Sequence, residues 1–223
     1  LGTLAGIAVV NFRLAPRLPY SRSFLLRVGS LEEALIARDQ LVAGVLQPLA
    51  IDLLNPAAST RIGQVGYLLI LRAAGNRSVI DRYSRELPDA EPVDNECEAS
   101  LWKSIREFTP GFLAGAPAGG VVRVSSTIRG VGPVMERLAD RPAVTRAGTG
   151  VAYGYFDDCG AACRWVADAA RAGLKCIVEY VAENGCEDVR WPVTGSDFVM
   201  MEQIKKMFDP RGLLNRGYLY GRL

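Results

Sequence analysis

The 223-residue chain contains no histidine. That excludes a Ser-His-Asp triad, a histidine-liganded zinc and histidine as general acid or base. Chemistry must come from carboxylates, tyrosines, lysines, cysteines or a cofactor. The lysines are Lys103, Lys175, Lys205 and Lys206, and the other 22 cations are arginine. A guanidinium grips a carboxylate or phosphate through two bonds at once, although a GC-rich coding sequence accounts for the bias equally well. Within Val121–Ile128, Arg123 and Ser125 alternate with Val122 and Val124. Period two sends the two pairs to opposite faces of a strand. If the valines face helices, Arg123 and Ser125 lie on the open side of the sheet. There Arg123 either pairs with a substrate carboxylate or is an ordinary residue of a solvated face. Arg123 and Ser125 are the substrate-side candidates.

The other reactive types carry weaker signals. Five cysteines, Cys97, Cys159, Cys163, Cys176 and Cys186, do not make a secreted disulfide framework. Cys159 and Cys163 form a CxxxC pair without a histidine to complete a metal site, so reduced thiols packed as small hydrophobes are expected. No metal site is expected. Glu86–Glu98 holds six carboxylates and no cation. It lacks the central glycine of a calcium loop and is expected to be a solvated connector. Gly130–Pro133, GVGP, is not a GxGxxG dinucleotide fingerprint. A net charge of +2 is too small for a grip driven by phosphate neutralisation, so nucleic acid is not an expected partner. No apolar run reaches the length of a transmembrane helix. The apolar start lacks a basic leader region and an initiator Met, which suggests a piece of a longer protein.

Elements able to position these residues follow from periodicity. Ile7–Leu14 is expected to be a strand ended by Pro16 and Pro19. Ser30 and Glu33 fit a capping box for a helix with the stripe Leu31, Ala34, Leu35, Leu41 and Val42, stopped by Gly44. Strands are expected at Pro48–Leu54 and Tyr67–Ala73, and helices over 78–86 and 98–108. Gly111–Gly120 reads as a loop. After the Val121–Ile128 strand come a helix from Gly132, a hairpin of Ala143–Ala147 and Gly150–Phe156, a helix capped by Asp157 or Asp158, and a strand at Leu174–Val181. That order, β-α-β-β-α-β, is the split βαβ of ferredoxin-like domains, and residues 7–86 repeat most of it. The expected fold is α+β: two ferredoxin-like halves in one antiparallel sheet of about seven strands, with helices mainly on one face. A final helix carries the stripe Phe198, Met201, Ile204 and Phe208.

Three segments together resemble the FAD-linked oxidases of the vanillyl-alcohol oxidase and glycolate oxidase class. Leu1-Gly2-Thr3-Leu4-Ala5-Gly6-Ile7 followed by Phe12-Arg13-Leu14 and Pro16 resembles the end of the class's FAD-binding domain, with Ala5 in place of the usual Gly and Ala8 in place of Ile. Leu101–Arg106 and Val122–Ser125 are similar to segments of the FAD-binding subunit of glycolate oxidase. Phe208-Asp209-Pro210-Arg211-Gly212-Leu213-Leu214-Asn215-Arg216-Gly217 is similar to the closing FDPxGxxNPG motif, with Arg216 replacing Pro. The lack of histidine fits that FAD-binding subunit better than its relative of the D-2-hydroxyacid dehydrogenase type, for which the resemblance would imply histidines at a metal and beside the substrate.

The resemblance implies an end of the FAD-binding domain and lead-in at 1–19, a cap of two ferredoxin-like halves at 20–190, and a helix and tail at 191–223 that return toward the FAD domain. It implies that Asn215 and Arg216 touch FAD in the full-length protein, that no FAD binds this piece alone, and that the flavin does the redox chemistry. It further implies a small 2-hydroxy acid as substrate and other glycolate oxidase subunits as partners, in the cytoplasm, with any membrane association coming through those subunits. The piece alone is expected to be inert, and its apolar tail to fold back or pack on another copy. The alternative is a ferredoxin-like interaction module without activity.

Overall fold

The computed structural model describes residues 3–14, 16–181 and 196–216. Cys186 and the tail from Gly217 onward lie outside the described residues. Eight strands form one antiparallel sheet: β1 (Tyr20–Val28), β2 (Ala50–Leu54), β3 (Tyr67–Gly75), β4 (Glu91–Val93), β5 (Gly120–Ser125), β6 (Ala143–Arg146), β7 (Val151–Phe156) and β8 (Lys175–Val181). Their spatial order is β4-β1-β3-β2-β6-β7-β5-β8. Each half has the ferredoxin-like order, and the two halves meet through the second strand of each, β2 against β6.

Alternation sorts the side chains onto two faces. On the first face Phe24, Leu53, Leu71, Val122 and Val124 join the larger core. Over it lie α1 (Leu31–Ala43), α3 (Arg77–Glu86), α6 (Val131–Arg137) and α7 (Cys159–Arg171). Ser30 Oγ accepts from Glu33 N at 3.2 Å, while Glu33 reaches back to Gly29 N rather than to the cap itself. Gly44 ends α1 in an extended conformation, not a left-handed one. Asp158, not Asp157, caps α7, accepting from the N–H groups of Gly160 and Ala161. Those N–H groups hold its carboxyl below the usual carboxylate range. Cys163 is buried under α7, Cys159 is half-buried, and burial pushes the Cys176 thiol up to about 11.

The second face holds a smaller core of Leu25, Leu54, Leu68, Ile70, Val121, Val144 and Tyr155. It is covered in part by the short α2 (Pro56–Arg61), α4 (Asn95–Arg106) and α5 (Phe108–Gly115). Here the expectations need four corrections. Ile7–Leu14 forms no strand: Ile7, Phe12 and Leu14 are more than 80% exposed, and no described strand pairs with the segment. The first strand is instead β1, between β3 and β4. The sheet also gains β4, three residues containing Pro92, tolerated because β4 is an edge. Residues 111–115 of the expected Gly111–Gly120 loop belong to helix α5, which forms because Pro110 sits in its first turn where its missing N–H costs nothing. Finally, Glu98 is not solvated. It is 5% exposed, accepts from Ser21 and Ser23 Oγ, and lies 3.3 Å from Arg72 Nε. Trp102 Nε1 donates to the same Ser23 Oγ at 2.7 Å. This polar knot pins α4 to β1.

Past the sheet, α8 (Ser196–Phe208) ends in a compact turn. Asp209 accepts from Leu213 N and Leu214 N, and Gly212 takes φ +57°, which glycine adopts freely. Buried Lys205 donates to Asp209, to Leu214 O and to Thr3 O, all at 2.6–2.7 Å. Phe208, expected on the apolar stripe, is 62% exposed.

Candidate functional site

In the second half of the sheet α5 covers the second face incompletely and leaves a cleft of about 310 Å³. Ile105, Arg106, Thr109 and Pro110 form its helical wall, while Val121, Val144, Arg146, Tyr153, Tyr155, Glu179 and Tyr180 form the sheet side. Antiparallel register explains the grouping. Val144 opposes Tyr153, Tyr153 opposes Arg123, and Val121 opposes Tyr155 and Tyr180. A register shift at Val121/Val122 breaks the alternation of β8, and Glu179 reaches the cleft.

The floor is apolar and the rim polar. Phe108 and Phe112 pack on the Tyr155 ring, with centroids 4.7 and 5.2 Å away. The Tyr155 hydroxyl shares a 3.0 Å hydrogen bond with Thr109 Oγ1. Burial pushes the Tyr155 phenol up to about 12, so it stays neutral at physiological pH. Across the β2–β6 seam Arg146 Nη1 donates to Asp52 Oδ2. Asp52 is 2% exposed, and burial raises its carboxyl against the opposing pull of Arg146. Asp52 thus holds the Arg146 guanidinium from behind.

Arg123 lies where its alternation with the valines placed it. Val122 and Val124 enter the first-face core, and Arg123 points to the second face beside the cleft. It is not unpaired, for its Nε is 3.6 Å from Glu179 Oε2 and its Nη1 donates to Ser125 Oγ at 3.4 Å. Ser125 is exposed. Neither lines the cleft itself. Arg146, Tyr153 and Tyr155 do, and the sequence reading does not single them out, although period two on β6 puts Arg146 on the same face as Val144. Asn215 and Arg216 lie on the tail turn, outside the cleft lining, with Arg216 Nε donating to Gly212 O at 2.7 Å. Asn215 takes φ +43°. Among the described residues no group of three or more cysteines and carboxylates is arranged to hold a metal, and no helix is long and apolar enough to cross a membrane.

No family model and no curated protein sequence matches this chain. Its structure is similar to 4-ethylphenol oxidase from Gulosibacter chungangensis in complex with isoeugenol, with a TM-score of 0.60 at 14% identity. The match covers 92% of this chain and 54% of that enzyme, so the chain spans about half its length. The chain shares the fold of about half of that oxidase.

The resemblance read in the sequence implies FAD, whose diphosphate would need an open, glycine-rich helix start among the described residues. The one glycine-rich helix start, Gly130–Pro133, is packed inward. Gly132 is buried, and a Cβ there would meet Leu35 of α1 at 2.9 Å. No backbone cradle for phosphates is open at that helix start. The chain's own contribution is the cleft.

Proposed function

We propose that this chain is the substrate-side cap of an FAD-linked oxidoreductase acting on a small 2-hydroxy acid, of the kind found in the FAD-binding subunit of glycolate oxidase. In this reading the flavin is held by sequence or subunits beyond the chain. The observation that carries it is Arg123. It stands beside the cleft, on an incompletely covered sheet face, in a fold shared with a flavin oxidase. Its Nε is buried and has no hydrogen bond among the described residues. Arg123 then exchanges the long contact to Glu179 for a charge-assisted pair with the substrate carboxylate. Asn215 and Arg216 are proposed to face the flavin domain from the tail.

The test is dye reduction by the assembled enzyme containing this chain, with FAD content read from its absorbance. Glycolate, D-lactate and 4-ethylphenol are the substrates to compare. Turnover of a 2-hydroxy acid, with Arg123→Ala raising KM about tenfold or more, is expected, because a hydrogen bond to a charged group contributes about 1.5–3 kcal/mol. A flavin-free assembly, or turnover of the phenol alone, refutes the reading. One observation favours an interaction module instead: the 5–14 segment, which joins no helix or strand, exposes Ile7, Val9, Phe12 and Leu14. A stable complex that lacks flavin and turns over no 2-hydroxy acid would favour the module.

A further inference from the structure

The cleft differs from what glycolate alone would need. Glycolate is a carboxylate on a single carbinol carbon and has no apolar surface to bury. Seven of the eleven lining residues are apolar or aromatic, with Val121, Val144 and Tyr155 on the sheet side and Ile105 and Pro110 on the helical wall. A volume near 310 Å³ sits at the lower end of ligand pockets and far exceeds the few water volumes that glycolate displaces. Val121, Val144 and Tyr155 are themselves only 1–3% exposed and form the closed base of the cleft. The aromatic surface open to a ligand is that of Tyr153 and of Tyr180, which is 56% exposed, and an apolar arm laid on those rings would leave water and gain affinity.

The charged end is set by Arg146. Asp52 engages only Nη1, and Nε and Nη2 make no hydrogen bond among the described residues. The guanidinium lines the cleft with its side chain 39% exposed, while its partner carboxylate is buried behind it. Such a cation is fixed in direction before any ligand arrives, and part of its fork remains for a carboxylate. Arg106 adds a second positive group on the helical wall, beside Glu107 at 3.7 Å. Glu179 on the facing wall is already engaged by Arg123.

We propose that the cleft binds a small organic carboxylate with a bulky apolar or aromatic arm. The carboxylate anchors on Arg146, and the arm lies on the Tyr153 and Tyr180 rings, above the buried Val121 and Val144. Asp52 is a positioning residue that acts through Arg146. Resting on the substrate class proposed above, but with Arg146, which lines the cleft, as the carboxylate anchor in place of Arg123, which keeps Glu179, this narrows the class to 2-hydroxy acids with a large side chain, mandelate rather than glycolate.

The experiment titrates mandelate, glycolate and benzyl alcohol into the full chain, followed by methyl and amide NMR. Mandelate should shift the Val121 and Val144 methyl signals saturably and bind roughly 30-fold or more tighter than glycolate. Benzyl alcohol, which lacks the anion, should bind at least tenfold more weakly than mandelate. Arg146→Ala should abolish the advantage of mandelate over benzyl alcohol. Arg146→Lys, which keeps a charge for Asp52, should retain the fold and part of that advantage. Asp52→Asn should weaken mandelate binding while leaving benzyl alcohol unchanged, which general loosening of the fold would not do. Mandelate that fails to shift these methyls in the unmutated chain, or that binds no tighter than glycolate, overturns the proposal. Two outcomes separate it from the function above. Dye reduction on glycolate with no response to mandelate would sink the pocket and leave the oxidoreductase standing. Arg146-dependent mandelate binding in a flavin-free assembly would do the reverse.

Discussion

Asn55 joins the two halves of the sheet, and removing its side chain should uncouple them. The residue is fully buried at the end of β2. Its Oδ1 accepts from Ala58 N and Ala143 N, each at 3.0 Å, and its Nδ2 donates to Leu138 O at 3.1 Å and Arg141 O at 2.7 Å. One of the four bonds caps α2, and three cross to the second half. Asn55→Ala loses the cap, about 1 kcal/mol. It also strands groups around Ala143 N and Arg141 O, at about 1–3 kcal/mol for each buried group left without a partner. Leu138 O is spared because it still accepts from Arg141 N at 3.3 Å. A loss of about 3–7 kcal/mol follows, a large share of the roughly 5–15 kcal/mol typical of a domain. Urea denaturation measures it, with a midpoint shift of about 1 M or more at ordinary slopes. Single-tryptophan variants retaining Trp102 or Trp165 report on the first and second halves separately. In the parent chain the two probes should unfold together, and in Asn55→Ala they should separate. A loss under about 1 kcal/mol with coincident transitions would show that the seam depends on β2–β6 pairing and not on this side chain.

Three further outcomes follow from titrating groups. Lys205 and the N–H groups of Leu213 and Leu214 hold the Asp209 carboxyl well below the usual carboxylate range. A lowered pKa stabilises above the unfolded value near 4 and is lost as pH falls. Protection of Leu213 and Leu214 amides from exchange should therefore fade on acidification, and Asp209→Asn should remove that dependence. Burial raises the Asp52 carboxyl, so its effect has the opposite sign: its contribution to stability declines as pH rises from about 4 through its folded value. Asp52→Asn should flatten that decline in urea midpoints measured from pH 4 to 7. With its thiol pushed up to about 11, Cys176 should resist iodoacetamide at pH 8 while exposed Cys97 is alkylated, as peptide mass mapping would read.

Much of the fold is legible along the chain because its halves obey local rules. The second half reads directly: Val122 and Val124 alternate with Arg123, Val134, Met135 and Leu138 share one helical side, and Gly150 at φ +82° closes the hairpin where a Cβ would strike Ser126 O. The first half misleads at its start. Ile7–Leu14 is the more apolar stretch, yet a strand needs a ladder, and Tyr20–Val28 has one on each side. The serines of β1 look like loop residues until Glu98 and Trp102, more than 70 positions away, satisfy them. The same distance hides the site. Asp52 and Arg146 are 94 residues apart and become partners only because β2 and β6 join the halves. Either residue alone is one charged position among many on a strand.

The seam thus builds the site as well as the sheet. In the first half α4 seals the second face with Leu101, Trp102 and Ile105 over β1 and β3. The chain then sets α5 over the boundary, its Phe108 and Phe112 reaching only as far as Tyr155. Beyond that ring the second half keeps an unsealed face, bordered on one side by the buried Asp52–Arg146 pair and on the other by Arg123 and Glu179. Two copies of one fold, covered unequally, leave a cleft where the cover runs out, and the arginines stand at its edge because alternation on β5 and β6 puts them on that face.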